Sequence, residues 1–313
     1  MPSRTPTPRL LSILGPTASG KTRLAVALAR RRNGEILSAD SRQVYRGMDI
    51  GTGKDLADYC TPQGTVPHHL IDILDAGQKY TLFDYQRDFY AAHAEILTRG
   101  RQPILCGGSG MYAEAIIRGY QLVEVPPDPA LRARLEQCTH QELVEHLKAH
   151  GPLHNQTDIQ SRKRLIRAIE IATLTAAQSP APRSYPPVSI GPVFAIDLPR
   201  ELRRERISLR LRVRLDEGLI EEVQRLIDRG VPIETLLYYG LEYRYVTEYL
   251  TGKCAREEME RMLETAIHQF AKRQMTYLRG MVRRGVPIVW LDGQQGTQAM
   301  LQHLLRHLER SGA

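Results

Sequence analysis

Residues 15–22 read Gly15-Pro16-Thr17-Ala18-Ser19-Gly20-Lys21-Thr22, a complete Gly-x-x-x-x-Gly-Lys-Thr run. Before it, Leu10 to Leu14 is a short apolar run suited to a buried strand. After it, Thr22 to Arg31 is rich in Ala and Leu and predicts a helix. Glycines let a backbone wrap so that its N–H groups face inward at phosphate oxygens. The helix N-terminus adds partial positive charge, Lys21 a full one, and the Thr22 hydroxyl can reach a Mg²⁺. The stretch predicts a phosphate loop for a di- or triphosphate; the bland alternative is a Gly-rich turn before a helix.

Outward from the loop, Glu35 to Asp40 predicts a second strand that ends in a carboxylate, and Ser41 to Thr52 a polar, glycine-punctuated functional loop. Val66 to Leu74 suggests another strand. Tyr85, Phe89, Ala92 and Ile96 recur at helical spacing within Thr81–Arg99. Gln102 to Cys106 predicts a buried strand, followed by Gly107-Gly108-Ser109-Gly110 and a helix through Ile117. Alternating strands and helices imply a doubly wound parallel sheet, the P-loop NTPase-like α/β class.

Pro126-Pro127-Asp128-Pro129 opens a mostly helical segment, Leu131 to Ala149 and then Asp158 to Ala177. The proline-rich run Ser179 to Pro187 closes it as a loop. The expected organisation is a first part of the core over 1–124, a small helical insertion over 125–187, and core completion over 188–313. In that last part Val193–Leu198 predicts a strand, Arg200–Arg229 one helix, Glu257–Arg284 a long helix, Pro287–Asp292 a strand and 296–310 a closing helix.

The chain has 313 residues, 42% hydrophobic and 25% charged, ordinary values for a globular protein. Its net charge of +8 fits a polyanionic partner such as nucleic acid, although solubility alone would also account for it. Four scattered cysteines, Cys60, Cys106, Cys138 and Cys254, show no metal-binding spacing and read as reduced thiols. No apolar run is long enough for a membrane span, and Met1 to Arg9 has no signal-peptide core. The expectation is a cytoplasmic monomer.

What accompanies the phosphate loop decides its chemistry. Triphosphate-cleaving enzymes generally end a later strand in an Asp that holds Mg²⁺ through water, but here Ile104-Leu105-Cys106 runs into Gly107-Gly108. The carboxylate sits instead at Asp40, on a strand end that faces the phosphate crevice in a parallel sheet. A helix-capping role for Asp40 is the structural alternative. An Asp beside a diphosphate suits transfer of the attached group to an acceptor that loses a proton, with diphosphate as leaving group. His68-His69 would point to opposite faces of a strand, which disfavours joint metal ligation. Seven arginines within 200–214 exceed what a solvated face needs. Along Phe270–Arg279, Phe270, Gln274 and Tyr277 share one side that reads as core, and Lys272, Arg273 and Arg279 could pair with phosphates.

Together, Gly15–Thr22, Ser38–Thr52, Pro67–Asp72 and Gly107–Gly110 resemble the tRNA dimethylallyltransferases (tRNA isopentenyltransferases), and Arg164–Glu170, Gly218–Val223 and Gln269–Tyr277 agree in order. The resemblance implies transfer of a dimethylallyl group from dimethylallyl diphosphate to N6 of adenosine 37 in the tRNA anticodon stem-loop. An exocyclic adenine amine is a weak nucleophile, so a general base is required, and Asp40 matches the family's catalytic Asp. The resemblance further assigns Ser41, Arg42 and Gln43 to the extruded adenine and its surroundings, and Ser109 to the reacting centre. Lys21 and Thr22 are implied to hold diphosphate and Mg²⁺, Arg206 and Arg210 to close over the diphosphate. Lys163, Arg164, Leu165, Ile166 and Arg167 fall in the stretch that touches tRNA. Extrusion of the base follows the general manner of base-modifying enzymes.

The chain departs from the family pattern at Ser109, usually Thr. It also departs in a shortened insertion that reads Leu153-His154-Asn155-Gln156-Thr157-Asp158, and at Leu241-Glu242-Tyr243, where the family has Ile-Gly-Tyr. A free-nucleotide (adenylate) isopentenyltransferase, a P-loop small-molecule kinase and a non-catalytic RNA-binding module are the competing readings.

Overall fold

A computed structural model describes residues 7–122, 124–151, 161–178 and 185–312. The chain forms two compact units, one from 1–119 with 187–313 and the other from 120–186.

The larger unit is built on a six-stranded sheet of β1 (Leu10–Leu14), β2 (Gly34–Ser38), β3 (His68–His69), β4 (Gln102–Gly107), β5 (Ile190–Asp197) and β6 (Ile288–Asp292). Its order is β6-β5-β1-β4-β2-β3, and every pairing is parallel. β1 lies between β4 and β5, with β2, β3 and β4 on one side and the later β5 and β6 on the other, so the loop at its carboxyl end lies at a switch point, where doubly wound sheets bind ligands. One face is covered by α1 (Lys21–Arg32) and the last helix (Gly296–Ser311). Leu24 and Leu28 pack with Ile13, Ile36, Ile104, Phe194, Leu301 and Leu304 in one apolar cluster. Continuous apolar strands suit a sheet covered on both faces.

α2 (Leu82–Thr98) starts at a capping box between Thr81 and Asp84. α3 (Gly110–Ile117) follows β4. The single helix expected over Arg200–Arg229 is two, α4 (Arg200–Asp216) and α5 (Leu219–Asp228), because Gly218 adopts φ 99° and breaks the run. α6 (Ile233–Tyr238) and α7 (Leu241–Leu250) precede the 28-residue α8 (Arg256–Arg283). The strand expected over Val66–Leu74 is confined to His68–His69. Leu70 (φ 65°) and Asp72 (φ 55°) turn left-handed, which ends an extended segment. Leu74–Asp75 then pairs with Tyr45–Arg46.

The smaller unit contains helices Pro129–Leu135, His140–Ala149 and Arg162–Gln178. The mostly helical stretch expected from Leu131 to Ala149 is two helices, the second started at Thr139 by a capping box with Glu142. Leu131, Leu135, Leu143, Leu165, Ile166 and Ile169 form its core. Asp158–Gln160, the stretch Leu153–Asp158 and Ser179–Ser184 of the proline-rich loop lie outside the described residues. No helix among the described residues is long and apolar enough to cross a membrane.

Candidate active site

Three loops leave the carboxyl ends of the neighbouring strands β1, β4 and β2 and meet at one crevice. In the first, Ala18 (φ 60°) and Gly20 (φ 85°) wrap the backbone, and a Cβ on Gly15 would lie 2.7 Å from Ser19 Oγ. Pro16 lies within this turn, its carbonyl accepting from Ser19 N–H at 3.3 Å and from Lys21 Nζ at 3.4 Å. Lys21 and Thr22 open α1, with Gly20 as its cap. Burial, with Arg210 adding to it, pushes the Lys21 ammonium below its ordinary value against the pull of Asp40 and Asp55. Such a cation gains from an anion laid beside it.

The second loop carries Asp40. Ala39 N–H donates to the Cys106 carbonyl at 2.8 Å, and the Ala39 carbonyl accepts from Ser109 N–H at 3.1 Å. Gly107 is needed here because a Cβ would strike the Ala39 backbone. Asp40 caps no helix; its Oδ1 accepts from Arg42 N–H at 2.9 Å in a local turn. Its negative charge is felt at Lys21. Ser109 Oγ, from the third loop, accepts from Ser41 N–H at 3.1 Å and donates to Ser41 Oγ at 3.5 Å. Gln43 is engaged at both ends, accepting from Ser38 Oγ at 3.1 Å and donating to the Gly53 carbonyl at 3.0 Å. Arg42 donates to the Tyr238 carbonyl at 3.0 Å and lies 4.9 Å over its ring, with Tyr238 itself 61% exposed.

Gln274, which the sequence pattern placed with the core face of its helix, joins the first loop to the third. Its Oε1 accepts from Thr17 N–H and its Nε2 donates to the Gly108 carbonyl, both at 2.9 Å. Two further residues missed by the sequence pattern fix the segment after Asp40. Lys54, fully buried, donates to the Tyr45 carbonyl (2.7 Å), to Asp49 (2.5 Å) and to Asp72. The buried Glu222 carboxylate accepts from Asp49, Ile50 and Gly51 N–H at 2.8, 2.8 and 3.0 Å and from the Tyr243 hydroxyl at 2.6 Å. The signal for Lys54 is its position after Gly51-Thr52-Gly53, where a flexible backbone can wrap an ammonium.

On α4, Arg203, Arg206, Arg210 and Arg214 recur at 3, 4 and 4 residues and share a face. Arg210 reaches the phosphate loop, donating to Thr17 Oγ1 at 3.5 Å, and forms an ion pair with Asp55. Arg206 does not join it there: its guanidinium donates to the Gly293 carbonyl, after β6, at 3.4 Å. Beside the same helix lies a cleft of roughly 930 Å³, lined in part by Arg200, Arg203, Arg204, Lys272, Arg279 and Trp290. The arginine run is therefore divided between a crevice and a cleft.

In the smaller unit, Lys163 and Arg164 are exposed. Between them and Arg167 on the same helix, Leu165 and Ile166 are core residues, 0% and 7% exposed. Arg167 donates to Glu170 at 3.1 Å and to the Val125 carbonyl at 2.6 Å.

No group of three or more His, Cys, Asp or Glu among the described residues could hold a metal ion. The donor set instead fits a hard cation that arrives on phosphate oxygens and takes one hydroxyl, that of Thr22. The crevice thus places loop N–H groups, Lys21 and Arg210 for a polyanion on one side and a carboxylate able to take a proton on the other.

A model of the IPP transferase family matches residues 43–281, and a model of isopentenyl transferase matches residues 8–72. The tRNA dimethylallyltransferase 2 of Porphyromonas gingivalis (strain W83) is 58% identical over 283 residues, 90% of this chain and 93% of that protein. The tRNA dimethylallyltransferase 1 of Parabacteroides distasonis is 51% identical over 299 residues, 96% of this chain and 97% of that protein. The crystal structure of the full-length tRNA isopentenylpyrophosphate transferase from Bacillus halodurans aligns at a TM-score of 0.69 with 32% identity, covering 97% of this chain and 98% of its own. With matches of that extent laid over this crevice, the chain belongs to the tRNA dimethylallyltransferase family.

Proposed function

We propose that the protein transfers a dimethylallyl group from dimethylallyl diphosphate to N6 of adenosine 37 in tRNA, acting in the cytoplasm as a monomer. In the transfer, a C–N bond forms at N6 while the allylic C–O bond breaks and diphosphate departs. Asp40 takes the N6 proton. Lys21, the N–H groups of Gly15–Thr22 and Arg210 hold the departing diphosphate, and Arg206, on the same face of α4, would join them by leaving the Gly293 carbonyl that it meets at 3.4 Å. Thr22 would help the diphosphate hold a Mg²⁺, which would supply charge to offset that of the leaving group. Ser109 holds the backbone next to Asp40 through the Ser41 N–H, the Arg42 N–H holds its carboxylate, and the exposed Tyr238 beside Arg42 offers a ring on which a base can stack. Lys163, Arg164 and the basic cleft meet tRNA phosphates.

The observation that carries this reading is the union of Asp40 with the phosphate loop through Ser109 and Gln274. The test is transfer of label from dimethylallyl diphosphate to unmodified tRNA or to AMP. Label at adenosine 37 is the expected result. Label in AMP alone would reassign the acceptor, and hydrolysis of ATP without prenyl transfer would return the loop to kinase work.

A further inference from the structure

Arg214 lies one turn beyond Arg210 on α4, and its side chain is only 9% exposed. Two carboxylates face it, Asp55 at 3.9 Å and Glu242 at 3.6 Å. Asp55 is shared: Oδ2 pairs with Arg210 and Oδ1 faces Arg214. The backbone of Gly53 lies against both guanidiniums, and a Cβ there would come 2.7 Å from Arg210 Nη2 and strike Arg214. Arg210 also reaches Thr17 Oγ1 in the phosphate loop. A line of alternating charge therefore runs from Glu242 through Arg214, Asp55 and Arg210 to the loop.

A guanidinium that serves a diphosphate cannot give its best geometry to a carboxylate at the same time. Asp55 and an incoming diphosphate compete for Arg210. The carboxylate is 41% exposed, so water can accompany it through a small rotation, and Arg214 supplies a second cation on its other oxygen. We propose that Asp55 is an exchangeable counter-ion: it holds Arg210 before diphosphate binds, passes to Arg214 when diphosphate takes Arg210, and returns to displace the product. Glu242, where the resemblance had led to a glycine, shares Arg214 and sets how readily Asp55 is received. Asp55 and Arg214 are thus positioning residues that tune diphosphate affinity and release, on the reading that this crevice takes a diphosphate.

The experiment is calorimetric titration of the full chain with inorganic diphosphate and Mg²⁺, beside KM and kcat for transfer. Asp55→Asn suits a left-handed position (φ 47°), which Asn tolerates as Asp does. It is expected to tighten diphosphate binding about fivefold, the scale of losing one partly exposed competing ion pair, and to lower KM while kcat falls. Arg214→Met is expected to weaken diphosphate binding by a similar factor, because Asp55 is left with Arg210 alone. In the double variant the Arg214→Met effect should vanish. Thermal unfolding of each variant verifies folding. Unchanged or weaker binding by Asp55→Asn, or unchanged or tighter binding by Arg214→Met, overturns the exchange. Diphosphate titration does not depend on prenyl transfer, so failure of the exchange is distinguishable from failure of the proposed activity.

Discussion

Two arginine–carboxylate clusters, one in each unit, are built on opposite plans. Around Glu170 the anion is the buried member, 1% exposed. It accepts from Asp128 N–H, Arg132 and Arg167 at 2.6–3.1 Å, while the two arginines keep 42% and 38% exposure. Around Arg214 the cation is the buried member, its carboxylates stand at 3.6 and 3.9 Å, and Asp55 lies at the surface. A buried anion with every oxygen occupied is complete and serves the fold. A buried cation with loose partners, as Arg214 is, keeps its field for a carboxylate that comes and goes.

Arg210→Met should separate the two plans most sharply. Removing one preorganised donor to a departing anion is expected to lower kcat/KM for transfer by roughly 10²–10³, with the unfolding transition little changed. Glu170→Ala should do the reverse. Chemical denaturation is expected to show a loss of about 1.5–3 kcal/mol, the scale of hydrogen bonds to a charged group, because the arginine heads left behind stay wet, with diphosphate affinity intact. A loss of affinity comparable with that of Arg210→Met would erase the distinction. Gln274→Leu tests the frame between the loops. Losing both amide hydrogen bonds should lower transfer about tenfold, equivalent to about 1–2 kcal/mol, with less effect on the fold.

The smallest effect, and the finest test, is in pH. Burial raises the Glu170 carboxyl, but its hydrogen bonds from Arg132, Asp128 and Arg167 outweigh this and hold it below its ordinary value of 4.5. Its stabilisation is present above that value and lost as pH falls through the lower folded value. Glu242 behaves oppositely: burial raises it despite Arg214 and Arg210. The folded state binds its proton more tightly than the unfolded chain, so stability falls as pH rises from 4.5 through the raised value. Denaturation midpoints from about pH 2 to 7 should show Glu242→Gln removing that fall above 4.5 and Glu170→Gln removing the acid loss below 4.5. Identical pH profiles for the two variants would contradict the comparison.

Much of the crevice was legible because it is local in sequence. Gly15–Thr22 specifies its own turn, and Asp40 and Ser109 stand at strand ends that a parallel sheet must bring together. The Asp55–Arg214–Glu242 cluster was not legible, since its members come from a loop and two helices and only packing joins them. The helix break at Gly218 had a signal in the glycine itself. Leu165 and Ile166 form an apolar stripe with Ile169, a periodicity in the sequence that already pointed inward. The short strand at His68–His69 failed for another reason: Asp72 turns left-handed, and its carboxylate pairs with the buried Lys54, a long-range demand that outweighs extended propensity.

The sharpest test of the crevice as a transferase site is single-turnover transfer to tRNA by Asp40→Asn, with diphosphate affinity measured on the same preparation. Loss of a general base should slow transfer by roughly 10²–10⁴ and leave Mg²⁺–diphosphate binding unchanged. A transfer rate near that of the unaltered protein, or an equal loss of diphosphate binding, would contradict the assignment of Asp40 as the group that takes the proton.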